Sequence, residues 1–83
     1  MKIKSLGQNQ TEVTTDMGVT VLVSYSTPVA AVIPMPGNAL AYHQTSEHYS
    51  ATTTRHINAW LRSHGQNPAT VRKVSPSFLA GLV

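Results

Sequence analysis

The stretch Tyr49-Ser50-Ala51-Thr52-Thr53-Thr54-Arg55-His56-Ile57-Asn58-Ala59-Trp60-Leu61-Arg62-Ser63-His64-Gly65 decides the fold, because it holds the clearest helical periodicity and the single Trp. With Ile57 at the centre of the inward face, a step of about 100° per residue brings Thr53, Trp60, Leu61 and His64 within roughly 40° of it. Arg55, Asn58 and Arg62 then form a polar stripe on one flank, with His56 and Ser63 on the other. Ser50 and the Thr52 to Thr54 hydroxyls suit the start of the helix, where the first backbone N–H groups lack partners. Gly65 can take the left-handed cap conformation, and Pro68 bars continuation.

Working outward, the upstream chain reads as strands. Residues 2–6 and 11–15 form the first two, and Asp16-Met17-Gly18 is a tight turn between the second and third. Val19 to Tyr25 is dense in β-branched residues, and Val19, Val21, Val23 and Tyr25 share a face by the period of two. Thr27-Pro28 is expected to break the ladder, since Pro brings no N–H. Val29 to Ile33 resumes as a buried strand. Pro34 to Asn38 is a reversal, after which Ala39 to Gln44 runs back antiparallel. Downstream, residues 69–74 supply one more strand, and Ser75-Pro76 opens a short helix with Phe78, Leu79 and Leu82 on one face. The expected architecture is a single domain over residues 1–83, α+β, a small antiparallel β-meander packed against one main helix with a short C-terminal helix or apolar tail.

Composition narrows the function classes. Charged residues make up only 11% of the 83, against a norm of about 25%, so the surface is built from Ser, Thr, Asn, Gln and His. Neutral hydrogen-bonding recognition follows. The net charge of +3 attracts anions, but basic residues spread along the whole length do not make a nucleic-acid footprint, and nucleic-acid binding is disfavoured. The absence of Cys removes disulfides and thiolate metal sites. Met1 to Lys4 lacks the apolar run of a signal peptide, and Val29 to Ile33 is far shorter than a membrane span, so the expectation is a soluble cytoplasmic protein. A core this poor in aromatic bulk, with an apolar C-terminal segment, favours a homo-oligomer.

The most informative chemistry lies at the start of the long helix. Three consecutive Thr are poor helix formers and a cap needs one hydroxyl, so Ser50, Thr53, Thr54 and Arg55 form a candidate anion site with the helix N-terminus. Tyr49, His56 and Asn58 complete the candidate ligand-binding set, Tyr49 as a stacking ring or as a hydrophobic staple. His43, His48, His56 and His64 fit no close metal spacing, and no metal or cofactor is expected. The acids are Glu12, Asp16 and Glu47, with Asp16 in a turn and nothing pairing the two Glu, so no acid–base or nucleophilic constellation emerges and a non-enzyme is expected.

The residues Ser24 to Ala30, then Tyr42 and Thr45, then Tyr49 to Leu61 resemble an uncharacterised family of small bacteriophage proteins. These carry a strand ending in Tyr-x-Thr-Pro-Val-Ala and a helix opening Tyr-Ser-x-Thr-Thr-x-Arg-His-Ile-Asn. The resemblance spans roughly residues 19–65 and implies a phage-type binding protein acting in the host cytoplasm. Two functions follow as expectations. One is a nucleotide sponge that sequesters a phosphate-bearing signal of host defence. The other is a non-enzymatic inhibitor of a host protein; a third, a weak nucleic-acid-binding accessory, follows only from the charge.

Overall fold

In the computed structural model, which describes residues 1–83, the chain forms β1 (Lys2–Gly7), β2 (Gln10–Thr14), β3 (Thr20–Ser24), β4 (Thr27–Met35), β5 (Ala39–Thr45), α1 (Ala51–Ser63), β6 (Arg72–Val74) and α2 (Pro76–Ala80). The six strands lie in one sheet in chain order. The first five pair antiparallel, each hairpin-connected to the next, whereas β6 pairs parallel to β5. The α+β architecture is as expected, but the sheet is mixed. A parallel pair needs a crossover, and α1 supplies it by carrying the chain from the end of β5 back to the start of β6.

Register explains the packing. One row of cross-strand neighbours runs Glu12, Leu22, Ala30, Gln44, Lys73, and the adjacent row on the opposite face runs Val13, Val21, Ala31, His43, Arg72. The helix α1 lies over the first face, where Ile57, Trp60 and Leu61 pack with Leu22, Val29, Ala30 and Val32. The short α2 lies over the second, where Leu79 is fully buried with Val21 and Ala31. The strand face expected from Val19, Val21 and Val23 is thus only half the story. Leu22 is as buried as Val21, because helices cover both sides of the centre. The C-terminal apolar segment closes this second core layer, with Leu79 and Leu82 turned in and Phe78 at its border, partly exposed with its ring edge-on to His43.

Local chemistry sets the element ends. Ser50 accepts the Thr53 N–H at 3.1 Å and caps α1. At the other end Gly65 has φ of +76°, with its N–H donating to the Arg62 carbonyl and the Gln66 N–H to the Leu61 carbonyl, the paired bonds of a Schellman cap. Thr27-Pro28 does not end the ladder as expected. Strand β4 begins at Thr27, and a bulge between Leu22 and Val23 in the β3–β4 register accommodates Pro28 and the extra residue Val29.

Trp60 combines apolar burial with a polar tie, its indole N–H donating to Glu12 Oε2 at 2.8 Å. We expect Trp60→Ala to cost about 3–5 kcal/mol and Leu79→Ala about 2–5 kcal/mol, since each empties a buried site in a different layer. Urea denaturation of the two variants checks this. A Leu79→Ala midpoint equal to the parent's would mean that α2 does not hold the second layer.

Candidate functional site

Because α1 sits over β3 and β4, the β5–β6 end of the first row is left uncovered. A polar cleft forms there between α1 and the sheet, with two lobes of about 180 and 370 Å³ that share Gln44, Thr54, Asn58 and Lys73. Gln44 and Lys73 are cross-strand neighbours, while Thr54 and Asn58 lie one helical turn apart on α1. The smaller lobe extends along the β5–α1 loop, including Glu47 and His48, and the larger extends along α1 to Arg62 and the loop at Asn67. Two cations therefore border the cleft against one carboxylate. The C-terminal end of a strand within a parallel unit, beside the first turn of the following helix, is where α/β folds commonly place ligands.

The seven sequence-predicted site residues divide among three places. Only Thr54 and Asn58 line the cleft. Ser50 and Thr53 turn to the sheet, where Thr53 is buried and its hydroxyl accepts from Ser50 Oγ at 3.2 Å and meets Ser24 Oγ at 3.1 Å. Ser24 Oγ also lies 2.9 Å from His56 Nδ1. Read in one direction, from Ser50 to Thr53 to Ser24 to His56, each hydroxyl donates once, which places the His56 proton on Nε2. This chain satisfies buried polar groups, and Ser24 is too deeply buried to serve as a nucleophile. Arg55 stays on the surface, bonding Thr52 Oγ1 at 3.1 Å, and Tyr49 is exposed outside the cleft.

The residues that sequence reasoning did not place at the site are Gln44 and Lys73. Gln44 carried one readable signal, a long polar side chain following Leu40 and Tyr42 at strand spacing. Lys73 carried none, because its approach to Gln44 depends on the parallel register. Arg62, from the polar stripe of α1, borders the larger lobe, and His48, in the loop just before α1, borders the smaller.

The histidines are dispersed. His64 lies tilted against Trp60 and Tyr42, His56 lies beside Tyr25, and no group of three or more His, Asp or Glu converges as metal ligands do. His43 is on the opposite face, edge-on to Phe78, between Ala31 and Arg72 in its row, and its Nδ1 is sealed from solvent without a partner. Burial, with the Arg72 guanidinium adding to it, holds its pKa below the ordinary value of 6.5.

The fold and cleft define a small α+β domain in which polar side chains from a sheet edge and a crossover helix face one another. The chain belongs to DUF8033, a family of unknown function, which it matches over residues 1–75. That span is wider than the resemblance at residues 19–65 and takes in every residue of the cleft, leaving only α2 and the last residues beyond it. No curated protein and no solved structure matches the chain.

His43 generates a pH prediction. Above pH 6.5 both folded and unfolded chains hold it neutral; below that the unfolded chain takes up the proton first, so its contribution to stability is lost as pH falls. The melting temperature should therefore drop between pH 7 and 5 by more in the parent than in His43→Leu. Parallel profiles for the two proteins would remove His43 as the cause.

Proposed function

We propose that this is a non-catalytic, phage-type binding protein whose cleft holds a small phosphate-bearing nucleotide, sequestering a signal of host defence in the host cytoplasm. The observation that carries the reading is the cleft itself, with Lys73 from the sheet and Arg62 from the helix bordering a lining of neutral hydrogen-bonding groups. Cations supply the attraction for phosphate, and the amides and hydroxyls supply direction. The phage source is supported by the resemblance of residues 19–65. No helix is long and apolar enough to cross a membrane. Relative to the sequence-based site, the anion contact moves from Arg55 and Thr53 to Lys73, Arg62 and Thr54.

Large apolar side chains left in solvent, among them Ile3 at 71% and Leu40 at 57% exposure, support a homo-oligomer in the same reading. Light scattering at micromolar concentration should then give a multiple of the 8.9 kDa chain mass. These exposed apolar side chains also suit the second reading, an inhibitor docking on a host protein.

Calorimetric titration against linear and cyclic mononucleotides tests the function. Lys73→Ala and Arg62→Ala should each weaken binding about tenfold or more, with a smaller loss at high salt, and Arg55→Ala should have little effect. If no nucleotide binds and the protein instead captures one host polypeptide through Ile3 or Leu40, the inhibitor reading replaces this one.

A further inference from the structure

The buried amide of Gln44 does only half of what it can do within the chain. The residue is 7% exposed, in the same row as Leu22 and Ala30, where an amide left without partners is costly. Nε2 meets that demand by donating to the Pro68 carbonyl at 2.6 Å and the Val71 carbonyl at 2.9 Å. Two carbonyl oxygens can face only the NH₂ end of an amide, so chemistry fixes which way the group points. The Oε1 end makes no hydrogen bond within the chain. It is not sealed either, since His43 Nδ1 is the one buried side-chain polar atom without a partner and Gln44 lines both lobes of the cleft. The result is an acceptor pinned through the other end of its amide and not sealed from the cleft, beside Lys73 on the sheet and with Asn58 on α1 also lining the cleft.

We propose that Gln44 Oε1 reads an exocyclic amino group on a nucleobase and so makes the cleft selective among nucleotides that Lys73 and Arg62 would hold alike. The inference rests on the cleft being the nucleotide site argued above. A phosphate placed at Oε1 would set one acceptor against another, so the anionic end of the ligand belongs toward Lys73 and Arg62 and a donor-bearing end belongs at Gln44. Asn58, which offers both donor and acceptor, can engage the ring nitrogen beside that amino group, the two-point pairing by which amide side chains recognise base edges. A buried acceptor left facing a base without a donor remains unpaired, which makes the discrimination sharper than an apolar pocket achieves.

The test uses matched 5′-monophosphates and their 3′,5′-cyclic forms, titrated by calorimetry into the full chain. Adenosine is compared with inosine and with purine riboside, guanosine with inosine, and cytidine with uridine. The expected result is that the nucleotides that bind carry an amino group and that the partner lacking it binds at least tenfold more weakly. In Gln44→Met, provided circular dichroism shows the parent fold, this ratio should shrink toward one. Amino and amino-free partners binding within twofold of each other would overturn the role of Gln44 while leaving the cleft as a nucleotide site. No binding by any of them, with inorganic phosphate also failing to bind, would overturn both.

Discussion

The structure depends on burying one apolar stripe, the Ile57, Trp60 and Leu61 face of α1, against Leu22, Val29, Ala30 and Val32 on the middle strands. A helix of this length is marginal alone, and tertiary burial of its apolar face is what makes it persist. Once that stripe is seated, much else follows. The chain leaves α1 beside the last strand of the meander and can add only a parallel partner to β5, and the polar flank of α1 overhangs the exposed end of the sheet. The cleft is thus the geometric remainder of a helix that covers the middle of a sheet but not its edge.

The second constraint is that the central strands are buried on both faces. Ala30 and Ala31 are fully buried on opposite sides of β4, one under α1 and the other under α2. Small side chains there let both helices approach a single strand closely, a packing that larger residues would push apart. The core grows thicker this way without aromatic bulk, with Trp60 as its one large ring. Leu79, on a helix of only five residues, is fully buried because it fills the layer that α1 cannot reach.

Much of this architecture was legible in local sequence. The cap at Ser50, the stop at Gly65 and the turn at Gly18 rest on chemistry within a few residues, and each lies where that chemistry puts it, whereas the reversal expected over Pro34 to Asn38 narrows to Pro36–Asn38 because Pro34 and Met35 stay paired with Leu40 and Ala39. The parallel pairing of β6, the bulge at Pro28 and the second core layer were not legible, because they depend on contacts between distant segments. The candidate site divides along the same line. Thr54 and Asn58 followed from helical spacing, whereas Gln44 and Lys73 meet only through register. Thr53 shows the converse difficulty, since a hydroxyl at a helix start looks free in sequence and is consumed in the fold by Ser24 and Ser50.

A chain with so few charges must decide where each uncharged polar group is spent, and that allocation separates structure from recognition. The hydroxyls of Ser50, Thr53 and Ser24 bond one another and His56, so they are committed to the fold. Glu12 is committed to Trp60 on the far side of α1. Along the same cross-strand row, Gln44 is the first group to retain unused capacity, and Lys73, next to it, makes no ion pair within the chain. The row therefore passes from a carboxylate that anchors the helix, through an apolar floor, to an amide acceptor and a cation facing the cleft. Gln44 Oε1 and Lys73, left unsatisfied by the fold, lie together at one end of one row beside the cleft, whereas the unpartnered His43 Nδ1 is sealed from solvent on the opposite face, which is why the cleft rather than the helix cap carries the functional reading.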